Sequence, residues 1–167
     1  MRTARETLYY RRMGSPVGPL TIVVSEGSLR MIDFGELALP PRDARHTDLV
    51  ESAERTAPYV SQLEEYFSGR RREFDFVVEL HGTDFQKKCW QALMAIPYGE
   101  TRSYRQMAKA VGCANGFRAV GQANHRNPIP IVVPCHRVIA SDGKLAGYGG
   151  GLPVKRALLD LEHAFHP

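Results

Sequence analysis

The chain is short of cysteine: its 167 residues hold three, Cys89, Cys113 and Cys135, an odd number with no CxxC spacing. That excludes a disulfide framework and fits a soluble protein of the reducing cytoplasm. Histidine is scarce where a metal site would need it, since the first 80 residues carry no cysteine and one histidine, His46. One such residue cannot supply the usual four ligands of a structural zinc, so no metal is expected. No apolar run approaches the roughly 18 residues of a membrane helix. Met1-Arg2-Thr3-Ala4-Arg5-Glu6 leads into no apolar signal core, so a membrane is not among the expected partners. The phosphate-loop order GxxxxGKS or GxxxxGKT is missing too, and Gly147-Tyr148-Gly149-Gly150-Gly151 reads as a flexible or tightly packed loop.

What is present is globular composition, 43% apolar and 24% charged, enough for one good core or two small domains. The net charge of +4 is unevenly placed. Residues 1–80 hold 11 Lys+Arg against 13 Asp+Glu, whereas residues 81–167 hold 11 against 5. The second half is the one that would seek a polyanion, although the same basicity also serves solubility.

The first half reads as α+β. Residues 19–24 and 29–34 are strands joined through Ser25-Glu26-Gly27-Ser28. Residues 35–48, with Pro40-Pro41, read as a loop. Pro58 suits the first turn of a helix that carries Val60, Leu63, Tyr66 and Phe67 inward and stops at Gly69. Phe74, Phe76, Val78 and Leu80 alternate with Asp75 and Glu79 at the period of a half-buried strand. His81-Gly82 then marks a boundary between a domain of residues 1–80 and one of residues 83–167.

In the second domain Thr83 and Gln86 form a capping box that opens a helix running to about Ile96, with Cys89 and Trp90 in the core. A helix from Thr101 or Ser103 places Tyr104, Met107, Ala108 and Val111 on one face and stops at Gly112. A third spans about Phe117 to His125, and the two match a helix-turn-helix, a pattern many helical pairs share without binding anything. Ala119, Gly121 and Ala123 leave the third helix thin, fit for a groove or for close packing on a neighbouring helix. Arg118 stands on it with Arg102, Arg105, Lys109 and Arg126 nearby, a set able to meet phosphates. Ser141-Asp142-Gly143-Lys144 is a turn, and a last helix from about Pro153 carries Val154, Ala157, Leu158 and Leu161 inward.

Pro134-Cys135-His136-Arg137 follows the apolar run Ile129-Pro130-Ile131-Val132-Val133. Two readings fit. Cys135 simply ends a buried strand, as unpaired cysteine often does; or it is a nucleophile, with His136 and Arg137 as the neighbours that help form its thiolate.

Tyr98-Gly99-Glu100-Thr101, Ser103-Tyr104, Arg118-Ala119-Val120-Gly121, Asn127-Pro128, Pro134-Cys135-His136-Arg137-Val138 and residues 147–151 fall in an order and spacing that resembles the O6-alkylguanine-DNA alkyltransferases. The likeness covers residues 83–162; the N-terminal half agrees more loosely, through residues 15–20 and its strand pattern. The resemblance implies a small ribonuclease-H-like α/β domain followed by a helical, winged-helix-like domain. It implies suicidal repair without a cofactor: an alkyl group passes from O6 of guanine, or less efficiently O4 of thymine, in double-stranded DNA to the protein's own cysteine. A monomer that can cluster on DNA is expected, in the cytoplasm or on a nucleoid.

The resemblance also implies roles. Cys135 attacks the alkyl carbon, His136 takes the thiol proton through a bridging water, Glu162 orients His136, and Asn127 braces the turn beneath the nucleophile. Tyr148 and the N–H of Gly149 relieve charge on the departing O6, the carbonyls of Cys135 and Val138 read the guanine amino group, and Pro130 with Tyr148 lines the alkyl pocket. Reaching O6 inside a duplex requires rotating the nucleotide out at a few kcal/mol, with Tyr104 turning the phosphate and Arg118 filling the gap. The DNA-facing set is Arg118, Tyr104, Arg105, Ala119, Gly121, Gln122 and Ser141. Asn124-His125-Arg126, Arg105 and Cys113 depart from what many relatives carry, which bears on DNA affinity and lesion preference. The rival readings are a non-enzymatic lesion-binding protein, which Cys135 argues against, an alkylation-sensing regulator, whose cysteine-rich metal domain is missing, and a thiol hydrolase, which leaves the basic helix-turn-helix unexplained.

Overall fold

The structure, a computed structural model, describes residues 5–35 and 47–164. The chain divides into two compact units, Met1–Glu79 and Leu80–Pro167. The first holds strands β1 (Glu6–Met13), β2 (Leu20–Val24), β3 (Leu29–Phe34) and β4 (Thr47–Glu51), followed by helix α1 (Ala53–Phe67). The sheet order is β3-β2-β1-β4, with β1 antiparallel to β2 and parallel to β4. β2 lies inside the sheet and is buried along its whole length, which is why its sequence is a nearly continuous apolar run.

The β2–β3 hairpin closes as the sequence predicts, Ser25 N–H donating to the Ser28 carbonyl at 2.9 Å. β1 and β4 have no counterpart in the sequence reading. Thr47 and Asp48, read as loop, belong to β4, while residues 36–46 of that loop, His46 among them, lie outside the described residues. α1 starts five residues before Pro58, on an N-cap at Ser52 whose hydroxyl accepts from Arg55 N–H at 3.2 Å. Pro58 therefore sits inside the helix, where one backbone hydrogen bond is forgone. Val60, Leu63 and Tyr66 are buried as expected, and Gly69 ends the helix at φ 77°.

The alternation over residues 74–80 does not make a strand. Leu29 bridges it at one point, donating to the Val77 carbonyl at 2.9 Å and accepting from Glu79 N–H at 2.9 Å. The rest packs on α1 instead: the Phe76 ring lies 5.0 Å from Tyr59, Phe74 lies 5.6 Å from Tyr66, and Gln62 accepts from Asp75 N–H at 3.1 Å. An apolar face every second residue needs an apolar surface, and here a helix provides it.

The second unit comprises α2 (Asp84–Met94), the two-residue strand β5 (Arg102–Ser103), α3 (Tyr104–Ala110), α4 (Phe117–His125), a 3-10 turn (Cys135–Arg137), β6 (Val138–Ile139) parallel to β5, and α5 (Leu152–Ala164). Both halves of the Thr83/Gln86 capping box form, and Ser103 with Gln106 builds another at α3. α2 ends two residues before Ile96, whose N–H closes the last turn onto the Leu93 carbonyl at 3.0 Å. Trp90 is core, its indole N–H donating to the Ala123 carbonyl at 2.9 Å and so tying α2 to α4.

α5 departs from expectation in which face it buries. Ala157 is exposed, and the inward stripe is Lys155, Leu158 and Glu162, spaced i, i+3, i+7. Two of its three members are charged, and a charge is ordinarily a sign of the solvent side. No helix among the described residues is long and apolar enough to cross a membrane.

Candidate active site

The apolar run before Cys135 is a turn, not a strand. Val133 N–H returns to the Ile129 carbonyl at 2.9 Å, and Ile131 sits at φ 75°, the one non-glycine at positive φ among the described residues. A β-branched residue there stores on the order of 1–3 kcal/mol of strain, so something must hold it. Asn127 does: its Oδ1 accepts from Ile129 N–H at 2.9 Å and its Nδ2 donates to the Val133 carbonyl at 2.7 Å. One side-chain amide thus spans the turn from which Cys135 emerges.

Cys135 is 8% exposed and forms part of the wall of a cavity of about 270 Å³, together with Tyr104, Gly121, Asn124, Tyr148 and Gly149. Burial pushes the thiol's pKa up, against hydrogen bonding from Asn127 and the charge of Lys155, which pull it down. The resting group is a thiol, and a base must take its proton.

His136 is fully buried with Nε2 2.8 Å from Glu162 Oε1. Burial lowers the imidazole's pKa further than Glu162 raises it, so the ring is neutral. Nε2–H donates to the carboxylate, and Nδ1 keeps a lone pair with no partner among the described residues. On Glu162, burial alone would raise the carboxyl; hydrogen bonds and charge from His136 and Arg137 outweigh it and hold it at about 2. Arg137 donates through Nε to Oε2 at 2.9 Å, through Nη2 to Oε1 at 2.8 Å and through Nη1 to the Ile96 carbonyl at 2.7 Å. The guanidinium is thereby committed to Glu162, and the expectation that Arg137 assists the thiol is replaced by this pairing.

Lys155 was not foreseen as part of the site. Its buried ammonium donates to the carbonyls of Val138 at 2.6 Å and Ala146 at 2.9 Å, and lies 5.8 Å from the centre of the Tyr104 ring. The available signal was its place on the same helical stripe as Leu158 and Glu162. Tyr104 donates its hydroxyl to the same Ala146 carbonyl at 3.1 Å, so Lys155 and Tyr104 together fasten the loop leading to Tyr148. Burial, then the charges of Cys135 and Glu162, keep the Tyr148 phenol protonated and therefore a donor.

Pro130 and Val138 are buried but do not line the cavity. Arg105, Arg118, Ala119, Gln122 and Ser141 are all exposed. A Cβ on Gly121 would meet Tyr104 Cε1 at 3.7 Å, an ordinary contact, so packing on a neighbouring helix does not demand glycine there. No group of three His, Cys, Asp or Glu able to hold a metal occurs among the described residues.

Residues 84–164 match the DNA binding domain, and residues 8–80 the ribonuclease-like domain, of 6-O-methylguanine DNA methyltransferase. The chain is 47% identical over 155 residues to the methylated-DNA–protein-cysteine methyltransferase of Methanosarcina barkeri, covering 93% of this chain and 97% of that one. It is 46% identical over 160 residues to the Mycobacterium tuberculosis protein of the same name, covering 96% and 95%. The crystal structure of M. tuberculosis O6-methylguanine methyltransferase aligns with a TM-score of 0.86 at 46% identity over 96% of this chain and 95% of that one. The crystal structure of M. tuberculosis OGT in complex with DNA aligns with a TM-score of 0.86 at 45% identity, covering 95% of each chain.

Proposed function

The chain belongs to the 6-O-methylguanine DNA methyltransferase family, and from that premise we propose that it repairs DNA by direct reversal, moving the alkyl group of O6-alkylguanine in double-stranded DNA onto Cys135. The observation that carries the assignment of Cys135 is the neighbouring imidazole: neutral, with Nε2–H given to Glu162 and Nδ1 left to accept a proton.

His136 takes the thiol proton through one bridging water, because adjacent side chains on a 3-10 turn do not face each other. The sulfur then attacks the alkyl carbon; the S–C bond forms as the C–O6 bond breaks, and the bonding pair stays with the guanine. Tyr148, a phenol held protonated, and the N–H of Gly149 meet the charge that develops on O6. The purine takes up at N1 the equivalent of the proton that His136 received from the thiol, which balances the exchange and leaves guanine in its strand. The thioether has no leaving path, so each molecule acts once, and no cofactor enters.

Arg118, Arg105, Gln122, Ala119, Gly121 and Ser141 form the DNA-facing side, with Arg118 taking the place of the extruded nucleotide and Tyr104 turning its phosphate. Residues 83–167 are the DNA-binding and alkyl-acceptor domain. The protein works as a monomer on cytoplasmic DNA, and O4-alkylthymine is a poorer substrate. Transfer of a labelled methyl from O6-methylguanine duplex to wild-type protein, with none to Cys135→Ala that still binds the duplex, supports this reading. Binding without transfer by the wild type would favour a lesion-binding role.

A further inference from the structure

One side chain of α4 plays no part in the transfer chemistry. Phe117, the first residue of the helix, is 44% exposed. Of the large apolar side chains exposed among the described residues, it alone lines the cavity at Cys135. Phe117, Gly121 and Asn124 fall at i, i+4 and i+7, so one stripe of the helix runs from an exposed ring at the cavity mouth to a buried amide inside. The middle rung is a glycine half-open to solvent, which leaves the ring standing clear. Arg118, also exposed, comes next in the chain.

A nucleotide that enters this cavity passes the Phe117 ring, and the duplex it has left must rest against the same mouth. We propose that Phe117 is an apolar wedge for the duplex: its ring enters the base stack beside the extruded nucleotide and covers the base face that extrusion uncovers, next to the cationic Arg118. This rests on the reading of the site as one that accepts an extruded alkylated base. Apolar side chains inserted at base steps hold duplexes distorted, and stacking on an aromatic ring tolerates any sequence because every base has a π face. Phenylalanine also has only two side-chain torsions to fix. The wedge carries no charge, so it adds nothing to the salt dependence of binding, whereas each phosphate contact adds about one to the slope.

The test compares single-turnover methyl transfer from duplex DNA and from the free base O6-methylguanine, for wild type, Phe117→Ala and Phe117→Trp. Phe117→Ala is expected to lower the ratio of duplex rate to free-base rate about tenfold, the order that loss of one stacked ring gives, with the salt slope of duplex binding unchanged; Phe117→Trp is expected to restore the ratio. Equal losses on duplex and free base would make Phe117 a merely structural residue, and an unchanged duplex rate would remove the wedge outright. A wild type that takes methyl from neither substrate would overturn the transfer reading, and the wedge with it.

Discussion

His136 Nε2 and Glu162 Oε1 stand 2.8 Å apart, both side chains shut off from solvent, and the negative charge of that pair is answered by Arg137 rather than by the imidazole. One carboxylate therefore serves two neighbours of different kind: it fixes the tautomer of a neutral base and neutralises a buried guanidinium.

Glu162→Gln keeps the shape but leaves Arg137 a buried cation without an anion. Breaking a buried pair in this way costs about 3–5 kcal/mol. Urea denaturation should show a loss of that size, and a variant within about 1 kcal/mol of wild type, the range of an exposed pair, would mean the pair carries little.

The same pair sets the acid limb of stability. Glu162 titrates at about 2 in the folded chain against an ordinary 4.5, so its contribution is complete above pH 4.5 and is lost as pH falls from 4.5 toward 2. His136 is lowered from 6.5, so the unfolded chain takes that proton first and stability begins to fall below pH 6.5. Denaturation from pH 7 to pH 3 should show a first decline below 6.5 and a steeper one below 4.5, the second missing in Glu162→Gln. Stability that rises on acidification would reverse the sign of both.

Much of this site can be read in the chain. Both capping boxes are local patterns whose hydrogen bonds close within four residues, so Thr83 with Gln86 and Ser103 with Gln106 need no tertiary information. The β2–β3 hairpin is local as well. β1 and β4 pair in parallel across some forty residues, and β4 is a five-residue strand with an acid at its second and last positions. Nothing local marks it. Lys155 escaped for a different reason: a lysine on a helix is ordinarily solvated, and only the carbonyls of Val138 and Ala146 converging on it make burial tolerable. The left-handed Ile131 is equally invisible until Asn127 is seen bridging its turn.

Lys155→Met should act on chemistry and on the loop together. It leaves the buried Val138 carbonyl without its cation, a cost of about 1–3 kcal/mol for an acceptor left unmet, while the Ala146 carbonyl keeps its bond from Tyr104. It also removes the positive charge that favours the Cys135 thiolate. Iodoacetamide labelling of Cys135 across a pH series should shift to higher pH in the variant, and an unshifted profile would limit Lys155 to fastening the loop.

Alkylation should destabilise the protein that carries it. Cys135 is 8% exposed on the cavity wall, and a methyl added on its buried side meets packed neighbours, which costs typically about 1–3 kcal/mol. The melting temperature of stoichiometrically methylated protein should fall below that of the free protein, and an equal or higher value would show that the cavity accommodates the methyl without strain.

The central claim is that Cys135 is the single-use acceptor. Incubation with excess duplex bearing O6-methylguanine, followed by intact-protein and peptide mass measurement, should show one methyl in place of one hydrogen, located on Cys135, with no further gain at longer times and an equal amount of guanine restored in the DNA. Methyl found on Cys89 or Cys113, or DNA restored in amounts exceeding the protein, would contradict it.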